Sequence, residues 1–431
     1  MTRTRMLVAA IAAALGAAAH AAPPYDPAAA VPPPHIAPLP AAGGDLPALG
    51  ADDWREANER VGAMPRGHMD VLRWEANNPP QTDAPDAPAG EPLAPGAAVR
   101  MALTARPDLA TTTDTSELDR LRADAAIREA AREVHRAWID AVAAQATLAE
   151  ATRAFEAVDT GDELATRMTR TGTWSQERLL RSRLARADAL TSLIDARTAA
   201  NGARAHLANL LGLWGEAAES LQLPDTLPRL PDAPLAFDGL EARALENHPE
   251  LPLAAREARW AERGIPARSL QVWREAVAAE LPAADTGLDT LPARAPMIDL
   301  RRLSVGHEAA GAAREIANAE RLAVRIRNDV RAAWLAAHDA WTLAREARDT
   351  VVPMTDALQD ETLLRYNGML ASTWEVLDGA AAQARARTAS HDALRRFWLA
   401  HTELQNVLAG GEYAGAESGG STAASGNTGG H

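Results

Sequence analysis

The chain of 431 residues contains no cysteine. That excludes disulfides, thiolate nucleophiles, thiolate metal centres and a lipid-bearing cysteine. Aromatic residues make up only 4%, with three Phe and three Tyr, so the apolar content is mainly Ala, Leu and Val. Such a composition suits closely packed long helices better than a thick globular core. No excess of positive charge is present: the formal net charge is −14, and nucleic-acid binding, which needs a basic face, is not expected. Beyond residue 21 no run of about 20 apolar residues occurs, so no membrane-spanning helix is expected. Proline is missing from Asp108 to Leu223, from Ala267 to Leu281, from Met297 to Val352 and from Met354 onward. These are the blocks in which long helices can form.

What is present starts with MTRTRMLVAAIAAALGAAAHAA, with Arg3, Arg5, an apolar run from Met6 to Ala19 and Ala19-His20-Ala21. Residues 1–21 therefore read as a secretory signal peptide. A Pro/Ala-rich arm follows over 22–50. Residues 51–96 read as a short helical segment and a loop. The tail over 412–431 is rich in Gly, Ser, Ala and Thr, a composition that does not support a packed core.

The body is organised around two stretches that resemble each other. Thr171 to Gly212 and Thr362 to Gly411 each read as a turn feeding one long helix that stops at glycine. Gly172 matches Gly368, Ser175 matches Ser372, and Leu210-Leu211-Gly212 matches Val407-Leu408-Ala409-Gly410, at an offset of about 196 residues. VRMALTARPDLA from Val99 matches EARALENHPELP from Glu241, each a short helix ended before proline. VHRAWIDAVAAQATLAEA (134–151) matches VRAAWLAAHDAWTLAREA (330–347), placing Trp138 on Trp334. Apolar positions Ile127, Ala131, Val134, Trp138, Ala141, Leu148 and Phe155, and Ile316 through Val330 to Trp341, follow a coiled-coil-like seam. The hairpin joins are expected over 160–172 and 353–368. A first repeat over 97–223, a proline-rich crossover over 224–238 and a second repeat over 239–411 complete the plan. The expected fold is all-α: a tandem repeat of long antiparallel helical hairpins, with β-barrel strands largely absent. Ala110 to Asp119 is polar, and 281–306 is broken by proline.

The order of these pieces, used twice, resembles the TolC-like outer-membrane efflux family. The carriers are Ala244 to Leu251, Gly172 to Leu180, Leu210-Leu211-Gly212 and Arg365-Tyr366-Asn367-Gly368 to Leu377. GTWS (172–175) and LLRYNGML (363–370) look most similar to a branch found with periplasmic copper-handling proteins. The resemblance implies an envelope transport component: a homotrimer forming a periplasmic helical conduit, located at the outer membrane. It also implies a periplasmic adaptor and an inner-membrane pump as partners. The alternative is a soluble periplasmic helical scaffold or copper-binding accessory without a pore.

One cluster has ligand character. Met64, His68 and Met69, with Gly67 between them, offer two thioethers and an imidazole, a donor set that selects Cu(I). The same residues also read as packing and surface positions of a turn. The arginines Arg178, Arg181, Arg183, Arg186, Arg197, Arg321, Arg325, Arg327 and Arg331 alternate with acids and read as a solvated face, or as tunnel-lining and adaptor-facing residues. No His-x-x-x-His, phosphate loop or serine with a base occurs, so an enzyme is not expected.

Overall fold

The computed structural model describes residues 92–281, 296–300 and 306–415. Among them every regular element is helical. The helices are α1 (Pro95–Thr104), α2 (Glu117–Arg170), α3 (Gln176–Leu210), α4 (Glu216–Glu219), α5 (Leu240–Asn247) and α6 (Leu251–Glu262). They continue as α7 (Ala267–Glu280), α8 (His307–Glu346), α9 (Val352–Asn367) and α10 (Thr373–Leu408). A 3-10 turn covers Pro107–Leu109, and a π-helical stretch, Ala347–Val351, joins α8 to α9. No helix among the described residues is long and apolar enough to cross a membrane.

Both hairpin joins are shorter than the sequence suggests. Helix α2 runs through Thr160 and Gly161 to Arg170 and is 54 residues long. Gly161 is retained inside it for contact: a Cβ there would stand 2.6 Å from Cζ3 of Trp374. In the second hairpin Pro353 does not break the helix. Val352 N–H reaches back five residues to the Ala347 carbonyl. This wide turn relieves the clash that a proline ring makes with the carbonyl four residues earlier. The helix therefore continues to Asn367.

The described residues form two compact units. The first contains 92–107, 133–229 and 343–395. Here α3, α2, α10 and α9 lie side by side as successive antiparallel neighbours. Arg186 of α3 pairs with Asp159 of α2. Arg395 of α10 donates to Asp140 of α2 at 2.7 Å. Gln383 and Arg387 of α10 donate to Asp356 of α9 at 2.7 and 3.1 Å. The seam expected from the sequence is buried at Val134, Trp138, Ala141 and Phe155. Ala137, Val142, Ala143 and Ala146 fill the space between backbones.

The second unit contains 108–132, 230–342 and 396–415 within the described limits. Its core joins Leu240 and Ala244 of α5, Ile326, Val330, Ala333 and Ala337 of α8, and Leu404, Val407 and Leu408 of α10. Phe237, Leu251 and Tyr413 pack against it. Just after α10, Gly410 takes φ 91° and the Gly411 N–H donates to the Asn406 carbonyl at 2.9 Å, closing the last turn. Asn247 Nδ2 then donates to the Leu408 carbonyl at 2.9 Å, tying the end of α5 to the end of α10.

The residues between 223 and 240 are extended, as the prolines require, but they are pinned rather than loose. Trp334 Nε1 donates to the Leu235 carbonyl at 2.8 Å and Trp341 Nε1 to that of Pro231 at 2.9 Å. In the first unit Trp138 Nε1 donates to the Leu93 carbonyl at 2.8 Å. Leu93 stands as far before Leu103 as Leu235 stands before Leu245.

Candidate functional site

The two hairpin turns lie together in the first unit and form its most distinctive surface. Each turn is fixed by the same backbone chemistry. After α2, Gly172 takes φ 74° and Thr173 N–H reaches the Met168 carbonyl at 2.9 Å. After α9, Leu370 N–H reaches the Arg365 carbonyl at 2.8 Å, and the residue with positive φ, at 58°, is Met369. The left-handed position therefore falls on Met369, and the neighbouring Gly368 has φ −83°. A side chain at such a position costs about 1–2 kcal/mol, and Met369 is 93% exposed.

Ser175 and Ser372 start the helices that leave the turns. Arg178 N–H donates to Ser175 Oγ at 3.3 Å. Ser372 and Glu375 form a full capping box: Ser372 N–H donates to Glu375 Oε2 at 2.6 Å and Glu375 N–H to Ser372 Oγ at 3.3 Å. The Ser372 backbone bond, then its hydroxyl, hold the Glu375 carboxyl below its usual range. Trp174 and Trp374 stack across the two turns with centroids 4.9 Å apart. The Arg178 guanidinium lies 5.5 Å from the Trp174 ring centroid. The turns differ in chemistry. The first presents Thr171 and Thr173, whose hydroxyls bond each other at 2.6 Å. The second presents Met369 and Leu370, with Leu363, Leu364 and Tyr366 also exposed.

The arginine-rich faces divide into two kinds. Arg186 holds the half-buried Asp159, and Arg327 and Arg331 converge on Glu241, Arg331 at 2.6 Å. The Arg331 bond, then the Arg327 bond, depress the Glu241 carboxyl. Arg181 makes an exposed helical pair with Glu177, and Arg321 donates to Asn318. The first kind clamps helices together; the second belongs to a solvated face.

Polar groups that periodicity does not reveal are buried among the helices. Glu150 is 5% exposed, pairs with Arg153 at 2.5 Å and has His391 Nε2 at 3.8 Å. Burial pushes His391 down despite Glu150 beside it. In the second unit Glu403, 3% exposed, accepts from Arg132 at 3.1 Å and from Ala414 N–H at 3.0 Å. A cavity of about 460 Å³ opens there, lined by Arg128, Arg132, His248, Arg325, Asp329 and Glu412 among others. Burial raises Asp329 and lowers His248.

Met64, His68 and Met69 lie outside the described residues. Among the described residues no group of three His, Asp or Glu is placed to hold a metal ion.

No protein-family profile matches the chain, and no curated protein sequence matches it. Among solved structures it is similar to the outer membrane protein VceC of Vibrio cholerae, at 15% identity and a TM-score of 0.46, over 74% of this chain and 76% of that one. It is similar to the CmeC outer membrane channel of Campylobacter jejuni at 12% identity and a TM-score of 0.48, over 68% and 65% of the two chains. For the MtrE outer membrane channel of Neisseria gonorrhoeae the values are 16% and 0.44, over 73% and 71%.

Proposed function

We propose that the chain is a TolC-like outer-membrane efflux protein, built as two hairpin repeats (97–223 and 239–411), that assembles as a homotrimer around a helical conduit. The observation that carries this reading is the state of the two outer helices of the first unit. Leu180, Leu184 and Ile194 share one face of α3 and are 51%, 67% and 44% exposed. On α9 at the opposite edge of the layer, Met354, Leu358 and Leu364 are 67%, 63% and 65% exposed. Two different apolar edges on one chain support a head-to-tail contact between copies, which closes into a ring when the rotation allows. The apolar second turn, Met369-Leu370, is the surface we assign to a periplasmic adaptor, with an inner-membrane pump beyond it. Metal ions or small molecules are the proposed cargo.

Leu184→Glu with Leu358→Glu tests the reading. The double variant should fall from trimer to monomer in native mass measurements while its helical circular dichroism is kept. A trimer that persists would refute the assignment of these faces.

A second reading has one observation in its favour. The link from the 3-10 turn to α2 is only residues 110–116, short of the roughly 9–11 residues of a membrane strand. A soluble periplasmic scaffold or copper-binding accessory would need no such strand. For copper, Met64, His68 and Met69 are proposed as Cu(I) ligands on their donor chemistry alone. Equal Cu(I) affinity in the wild type and a triple-Ala variant would remove them.

A further inference from the structure

A second cavity in the second unit, of about 260 Å³, lies between the extended segment 231–236 and helices α8 and α10. Its wall combines Leu235, Trp334, His338, Phe397, His401 and Leu404 with small apolar residues. No Asp, Glu, Lys or Arg lines it, so the wall offers an ion no charged partner. The volume lies just below the range of drug-sized sites, which suits a ligand of one ring.

The wall is held by hydrogen bonds and ring contacts. Trp334 and Trp341 anchor the extended segment through their indole N–H bonds to Leu235 and Pro231. His338 stacks on Trp334 with centroids 5.0 Å apart. His401 lies against Phe397 at 5.7 Å. The carbonyls of Pro231 and Leu235 already accept those indole protons, so the imidazoles are the wall's remaining polar side chains. The Nδ1 atom of His338 is buried with no hydrogen-bond partner among the described residues, so Nε2 is the nitrogen of that ring left to meet a ligand. Burial also lowers the basicity of His401, which keeps that ring a neutral acceptor or donor at pH 7.

We propose that this cavity is a binding site for a small, neutral, single-ring aromatic molecule that donates one hydrogen bond, the phenol class. The ring packs among Trp334, Phe397 and Leu404, where offset and edge contacts are available. The donor meets Nε2 of His338, because Nδ1 of that ring has no open surface and Nε2 of His401 already lies 3.5 Å from Gln405 Nε2. The site goes beyond the envelope reading and does not rest on it.

Calorimetric titration of the full chain with phenol and with toluene tests the proposal. Phenol should bind saturably at one site per chain, and toluene, equal in shape but without a donor, should bind about three- to tenfold more weakly, the range of one net hydrogen bond. In His338→Phe, which keeps an apolar ring, the preference for phenol should vanish. Ala233→Leu, on the exposed extended segment, narrows the cavity and should weaken both ligands. Absence of saturable phenol heat in the wild type, or equal affinity for phenol and toluene there, would overturn the site. So would an unchanged preference in His338→Phe.

Discussion

The indole N–H of Trp138 donates to the carbonyl of Leu93 at 2.8 Å, across 45 residues of sequence. Trp138 is 3% exposed, so its side of this part-buried bond is shielded from water. Trp138→Phe keeps the ring and leaves the Leu93 carbonyl without its donor. It should destabilise the first unit by about 1–3 kcal/mol. Trp334→Phe, which frees the Leu235 carbonyl, should cost less because that bond is more exposed. Urea unfolding followed by circular dichroism gives both values.

Met369 occupies a backbone conformation that glycine adopts without penalty. Met369→Gly should therefore stabilise the chain by about 1 kcal/mol, visible as a higher urea midpoint. If the second turn docks an adaptor, the same substitution should weaken capture of that adaptor. Gain of stability with loss of binding would mark the methionine as retained for contact.

Gly410 and Gly212 make an ordered pair of tests. Gly410 has φ 91°, and a Cβ there would stand 2.8 Å from the Asn247 carbonyl oxygen. Gly212 has φ 68° and would meet only the Ala105 Cβ, at 3.1 Å. Both Ala variants carry the left-handed penalty of about 1–2 kcal/mol. Gly410→Ala should exceed it, because backbone must move; Gly212→Ala should not. Differential scanning calorimetry should rank their melting temperatures accordingly.

Much of this was legible in the sequence, for identifiable reasons. Long proline-free blocks and the 3–4 alternation through Val134, Trp138 and Ala141 marked helices and their buried face. The turns before α3 and α10 and the stops at Gly212 and Gly410 followed from local chemistry. The turn at Asn367-Gly368 was legible, but not that its left-handed residue would be Met369. Pro353 suggested a join, because a π-helical turn leaves no mark in composition. The indole bonds to Leu93, Leu235 and Pro231 were hidden because they join distant segments. The cavity beside His338 was hidden for the same reason: α8, α10 and the extended segment meet only in three dimensions.

Acid should weaken the fold before carboxylates protonate. Burial lowers His135, His248, His391 and His401 below the ordinary imidazole value of about 6.5. Below about pH 6.5 the unfolded chain thus binds more protons than the native one, and stability falls with pH until the native histidines titrate. Asp329, raised by burial, contributes the opposite sign at lower pH. Urea midpoints should drop from pH 7.5 to 5.5, and His401→Gln should flatten that slope. A midpoint that rises over this interval would contradict the burial of these rings.

The claim that most needs testing is that the chain works as an assembled envelope conduit. Fractionation of cells producing the native chain, followed by native mass measurement of the fraction that holds it, tests that claim directly. Three copies per particle, recovered with outer membranes, are expected. Recovery only as a monomer in the soluble periplasmic fraction would contradict it.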